Sequence, residues 1–130
     1  MQLKRDTEYA LRLLFGAAKY AGESGITLSE LCKHTAVPRT IASRLCAKLV
    51  EAKLLNEKMI ETKPVYFACK DIYEKTLFDI VLATEETLNL FAVFDQSSEM
   101  YISCKSDFDL AQQKFANCLQ QIKIRNQVSL

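Results

Sequence analysis

The stretch ITLSELCKHTAVPRTIASRLCAKLVEAKLL, residues 26–55, holds two helical patterns separated by the short break HTAVPRT. Thr27-Leu28-Ser29-Glu30 reads as a capping box, with the Thr27 hydroxyl taking a free backbone N–H while Glu30 reaches back. A helix of about two turns follows and stops before Val37-Pro38, because proline disfavours helical geometry in the residue before it and suits the first turn of a new helix. The next helix runs from Pro38 or Arg39 to Ala52. Ile41, Leu45, Leu49 and Ala52 share one face of it; Thr40, Ser43, Arg44, Ala47, Lys48 and Glu51 share the other. Two helices across a tight turn, the second presenting small polar and cationic side chains, form a helix-turn-helix pattern. The polar stripe is thin enough for a DNA major groove about 12 Å wide. Arg39 and Arg44 suit bidentate bonds to guanine or phosphate, Thr40 and Ser43 suit bases or phosphates, and Lys48 extends the cationic stripe. A three-helix packing unit with a solvated basic face has the same periodicity, and periodicity alone leaves both readings open.

The flanking segments narrow the choice. Upstream, Ala10, Leu13, Leu14, Ala17, Ala18 and Ala21 recur at helical spacing, and Gly22 and Gly25 in AGESG end that helix. Downstream, LLNEKMIETKPVYFACK (residues 54–70) has two β-prone runs, Leu55–Ile60 and Val65–Cys69, around a Thr62-Lys63-Pro64 turn. A hairpin directly after such a helix is a wing, with Lys58 and Lys63 placing charge near its tip; the alternative is a plain hairpin that covers the core.

Composition bounds the remaining possibilities. A chain of 130 residues, 49% apolar and 25% charged, is one compact domain with room for a small appendage. With no membrane-length apolar run and a polar start, QLKRDTEY, the expectation is a cytoplasmic protein that does not engage a membrane. The net charge of +1 hides an asymmetry: residues 1–56 hold nine Lys and Arg against five Asp and Glu, and residues 57–130 hold eight against eleven. A basic front half suits an anionic partner. The five cysteines (Cys32, Cys46, Cys69, Cys104, Cys118) are widely spaced, and the single His34 completes no zinc pattern, so neither a disulfide framework nor a metal site is expected. There is no glycine-rich phosphate loop, and the carboxylate pair Glu85-Glu86 sits on what reads as an exposed helix end. No catalytic residues emerge, and an enzyme is not expected.

Three motifs then stand in register. Tyr9-Ala10-Leu11-Arg12 lies in the first helix, Leu45-Cys46-Ala47-Lys48-Leu49 in the third, and Leu77 through Glu85 (LFDIVLATE) matches a Leu-x-Asp-Ile-Val-x-Ala-x-Glu pattern after the wing. In this order and spacing the chain resembles the bacterial winged-helix regulators typified by IscR, NsrR and CymR, the Rrf-two family, over most of residues 3–86. The resemblance implies a homodimeric transcriptional regulator, with Thr40, Ser43 and Arg44 facing the groove. Two departures matter. The family wing usually carries a glycine-rich tip, and TKPVYFACK has no glycine. Many members bind an iron–sulfur cluster through three close cysteines, whereas Cys104 alone lies between Thr87 and Lys105. One thiolate holds no such cluster, so a clusterless member without a cofactor is expected.

Towards the C-terminus, Leu88–Asp107 reads as a connection, either a linker or a sensor loop for a small molecule or a redox signal; an effector, small-molecule or protein, is a further expected partner. Phe108, Ala111, Phe115, Cys118 and Ile122 follow with the alternating three-and-four spacing of a helix–helix seam. The fold class expected is mainly α with a small β-hairpin wing: a winged helix-turn-helix DNA-binding domain over residues 1–70, then a connecting helix, loop and dimerisation helix over 71–130. The function expected is a homodimeric repressor of transcription that recognises a palindromic operator in double-stranded DNA, through Arg39, Thr40, Ser43, Arg44, Lys48, Lys58 and Lys63. The alternatives are a winged-helix protein–protein interaction module without DNA binding, or a thiol-based redox regulator centred on Cys104, which sits beside Lys105.

Overall fold

The computed structural model describes residues 2–85 and 87–124. Helix α1 (Arg5–Tyr20) buries Ala10, Leu13, Leu14 and Ala17, the stripe expected from the spacing. Gly22 and Gly25 both take positive φ, which turns the chain back after it. The two-residue strand β1 (Ile26–Thr27) leads directly into α2 (Leu28–Thr35), and Thr27 accepts the Glu30 N–H at 3.3 Å. That bond is one arm of the expected capping box. Ala36 adopts the left-handed conformation and ends α2, and α3 (Arg39–Glu51) starts after Pro38. Gly16 lets α1 and α2 meet closely, since a Cβ there would lie 2.6 Å from Thr35 Cγ2. Arg12 donates to the Thr35 carbonyl at 3.4 Å and so ties the same two helices at the surface.

The wing consists of β2 (Leu55–Ile60) and β3 (Lys63–Ala68), and β1 joins it to make a three-stranded antiparallel sheet in the order β1-β3-β2. Sequence reading missed β1, because a two-residue strand has no periodicity of its own. It also placed the turn at Thr62-Lys63-Pro64. The register instead pairs Ile60 with Lys63 and Met59 with Pro64, leaving Glu61-Thr62 as the two-residue loop. Both have positive φ, 50° and 67°. A two-residue hairpin turn matching the strand twist demands that conformation, and the chain adopts it here without glycine.

A single 3₁₀ turn (Ile72–Glu74) leads to α4 (Leu77–Thr84). The complete capping box belongs to α4: Asp79 N donates to Thr76 Oγ1, and Thr76 N donates to Asp79 Oδ2 at 2.8 Å. Helix α4 packs on α1, and Ile72, Ile80 and Ile124 belong to the same core as Leu13, Leu45 and Leu55. The core therefore runs across residue 70 without a break.

The segment read as a connection over Leu88–Asp107 is corrected in its second half. Helix α5 spans Glu99–Gln120, 22 residues, with Ser98 accepting from Tyr101 N at its start. Of the expected seam only Ile122 is corrected, since α5 ends before it; Phe108, Ala111, Phe115 and Cys118 all stand on the helix. Tyr101 and Leu119 are buried, and Phe108, Gln112 and Phe115 are half-buried, whereas Ala111 and Cys118 are exposed and Ile122 lies beyond the helix. Phe108 stacks on Phe91 at 4.5 Å and meets Phe94 edge-on, so the connection folds back against its own helix. The carboxamide of Gln112 fastens it there, accepting from Leu90 N at 2.7 Å and donating to Leu88 O. Among the described residues, no helix is long and apolar enough to cross a membrane.

The wing turn supplies a test of this register. Glu61→Asn with Thr62→Gly should stabilise the protein by about 1–2 kcal/mol, because left-handed geometry is costly for ordinary residues and suits Asn-Gly. Urea unfolding of the double variant measures the gain. A loss of stability would mean that the turn lies elsewhere.

Candidate nucleic-acid interface

Helix α3 is divided cleanly. Ala42, Leu45, Cys46 and Leu49 face the core, while Thr40, Ser43, Arg44, Ala47 and Lys48 are exposed. Ile41 is half-buried and Ala52, expected on the core face, is exposed. The split follows from two requirements: the apolar side must cover α1 and α2, and the polar side, among the described residues, is left open to solvent. Arg39 sits at the first position of α3, where its guanidinium donates to Ser29 Oγ of α2 at 2.6 Å. That bond holds the two helices of the pair at their junction.

Arg44 is fixed more firmly. Its Nη1 donates to Asp6 Oδ2 at 2.9 Å and its Nη2 to Asp6 Oδ1 at 3.2 Å, a two-pronged ion pair between α3 and the first turn of α1. The Arg44 bond holds the Asp6 carboxyl below the usual carboxylate range, with Lys48 and Lys4 adding to the effect. Asp6 is 38 residues from Arg44 in sequence, so no local spacing exposes the pair.

Lys58 and Lys63 lie on one face of the wing, two strand pairs apart. Lys63 flanks the turn as expected. Lys58 is drawn over the Phe67 ring, 5.4 Å from its centroid. The expected stripe and the wing lysines thus come from two elements, α3 and the β2–β3 hairpin.

The first turn of α1, which carries Asp6, is itself anchored. The buried Thr7 hydroxyl lies 2.7 Å from Thr84 Oγ1 and donates to Glu85 Oε2 at 3.2 Å, while Lys4 N donates to Glu85 Oε1 at 3.1 Å. Glu85 is therefore not a bystander at an exposed helix end. It takes up free N–H and O–H groups where α1 begins. Sequence reading had flagged the carboxylate without its partners; its companion Glu86 lies outside the described residues.

The cysteines are all free thiols. Cys104 stands on α5 and not in a loop; it is half-buried, and the neighbouring Lys105 donates to Asp109 at 2.8 Å. Cys118 is the exposed thiol of the five. Among the described residues no group of His, Cys, Asp and Glu is placed to hold a metal.

No family profile and no curated protein matches the sequence. Solved structures do match. The structure of CymR (YrzC), the global cysteine regulator of B. subtilis, superposes with a TM-score of 0.75 at 14% identity, over 98% of this chain and 96% of that one. The oxidized form of Staphylococcus aureus CymR gives 0.74 at 16% identity, over 100% and 98%. T. potens IscR gives 0.68 at 15% identity, over 95% and 83%. The fold is the winged-helix fold that these structures share. It includes the C-terminal helix as well as the sheet and the helix-turn-helix.

Burial of Cys46 on the inner face of α3 should make the protein sensitive to alkali. Burial pushes its thiol up from 9.0 to about 12, and burial with a hydrogen bond to Asp71 pushes Cys69 to about 11. A thiol raised in the folded state contributes stability that is intact below the unfolded value and drains away as pH climbs to the folded one. Urea unfolding across pH 9 to 12 should therefore show falling stability, and Cys46→Ala should flatten part of that slope. An unchanged slope in the variant would show that Cys46 is not the group responsible.

Proposed function

We propose that this chain is a DNA-binding transcriptional regulator of the Rrf-two type, acting as a homodimeric repressor on a palindromic operator. The observation that carries the reading is the exposed Thr40, Ser43, Arg44 and Lys48 stripe on α3, backed by buried Ala42, Leu45, Cys46 and Leu49 on the opposite side. An α-helix with that stripe fits the major groove, and the adjoining wing brings Lys58 and Lys63 to neighbouring backbone. Thr40, Ser43 and Arg44 take the base-reading roles, while Arg39, Lys48 and the wing lysines contact phosphate. Structural neighbours that are regulators, such as CymR of B. subtilis, support this reading through their fold.

The pair of half-sites in a palindrome requires a two-fold dimer. Helix α5 supports one. Met100, Cys104, Ala111, Phe115 and Cys118 form a stripe beside the face that packs on the chain itself, with Met100, Ala111 and Cys118 exposed. Self-association along that stripe would cover it. Where some members of the fold hold an iron–sulfur cluster, this chain offers one thiol, Cys104 on α5, and an aromatic cluster instead. That donor set does not fit such a cluster.

Two measurements test the reading. A gel-shift titration against salt should show binding that weakens steeply as salt rises, with competition by one specific duplex. Arg44→Ala should cost about 1–3 kcal/mol on that duplex, and Lys48→Ala should lower the salt slope by about one. Undiminished binding by both variants on every duplex would remove α3 from the interface. Light scattering of the purified protein should give twice the 14.8 kDa chain mass, without visible absorbance. A monomer, or a brown protein with acid-labile sulfide, would contradict the dimeric, iron-free form.

A further inference from the structure

We propose that Asp6 is a specificity-determining positioning residue: by gripping Arg44 from α1 it aims the guanidinium as a base reader and keeps it from acting as a general phosphate ligand. The inference rests on the DNA-binding reading above. A lone arginine on an exposed helix samples many rotamers and is attracted to any phosphate it meets. Arg44 is not in that situation. Both of its terminal nitrogens donate to the Asp6 carboxylate, at 2.9 and 3.2 Å, while half of its side chain (49%) stays open to solvent.

The chemistry of the fork decides what is left for a ligand. A guanidinium has five N–H donors in one plane. Two of them are spent on Asp6, so the Nε–H edge and the outer N–H groups remain, in a plane set by the protein. The carboxylate also offsets the positive charge, which reduces the gain from neutralising a phosphate. What Arg44 retains is directional hydrogen bonding, and that is how one base edge is told from another. Lys48, one turn along α3, has no such fork and stays suited to phosphate.

Asp6 can impose this direction because its own place is fixed. The next residue, Thr7, is buried and meets Thr84 and Glu85, and the preceding turn is held by the Lys4 N–H bond to Glu85. The first turn of α1 is thus fastened to the end of α4 before it reaches across to α3.

The test compares wild type, Asp6→Asn and Asp6→Glu on two probes. One is the duplex that wild type enriches from a randomised duplex pool, and the other is a scrambled duplex of the same composition. Asp6→Asn should narrow the affinity ratio between them by about tenfold, the size of one lost base contact, with equal or tighter binding to the scrambled duplex. Asp6→Glu keeps the charge but moves the carboxylate, and it should narrow the ratio without tightening the scrambled complex. Arg44→Lys should narrow the ratio to the same extent and add nothing when combined with Asp6→Asn. If Asp6→Asn tightens both duplexes equally and leaves the ratio intact, Asp6 is only a nearby charge and the proposal fails. Failure of the DNA-binding reading looks different: wild type would enrich no duplex from the pool. Circular dichroism spectra of the variants matching wild type confirm that the ratios are read on folded protein.

Discussion

The buried stripe of α1 is the surface on which the rest of the molecule is assembled. Helices α2, α3 and α4 and strand β3 all pack against α1. Ala10, Ala17 and Gly16 keep that surface low, so several elements can approach one helix from different sides without forcing it out of line. Leu13 and Leu14 then fill the space between the neighbours. Without this stripe α2 and α3 would have no fixed crossing, and the polar side of α3 would have no fixed direction. Losing volume here costs more than at the surface, because close-packed side chains relax only partly around a gap.

Much of this was legible in the sequence where one physical signal was strong. The α1 stripe and the two faces of α3 repeat at helical spacing for three turns or more, and Pro38 marks the boundary between α2 and α3. The features that escaped share the opposite property. Strand β1 has two residues and exists only because β3 is beside it. The wing turn was placed late because Lys63-Pro64 resembles turn chemistry, whereas strand register put Glu61-Thr62 there despite their side chains. The first turns of α5, in EMYISCKSD, carry one short apolar run, Met100–Ile102, followed by mostly polar residues, so they read as a connection. Their helix is stabilised from outside by the Ser98 cap and by the aromatic contacts of Tyr101 and Phe108.

The candidate interface was legible in its membership and illegible in its wiring. Thr40, Ser43, Arg44 and Lys48 could be picked out because an amphipathic helix announces its outer face. Nothing in the local sequence says that Arg44 is held by Asp6 or Arg39 by Ser29, since each bond joins different helices. Likewise, Glu85 is recognisable as part of a motif, but its work at the start of α1 depends on the path of the chain through α4. Tertiary hydrogen bonds of this kind are invisible to periodicity, and they decide how a side chain is presented.

The charge distribution places a further constraint on the proposed DNA reading. A chain with a formal net charge of +1, in which Lys and Arg outnumber Asp and Glu only over residues 1–56, attracts a polyanion to one part of its surface and not to the whole. Affinity must then come from short-range contacts, within the screening distance of roughly 10 Å in ordinary salt. On the exposed face of α3 the cations are few, and one of them is already matched by Asp6. Such a surface is poorly suited to tight binding on arbitrary DNA. It is better suited to a protein that stays weakly bound everywhere and gains most of its free energy where hydrogen-bond donors of α3 meet the right base edges. In the proposed dimer a second protomer would add to this, because two weak half-site contacts held together would act jointly on a palindrome and singly elsewhere.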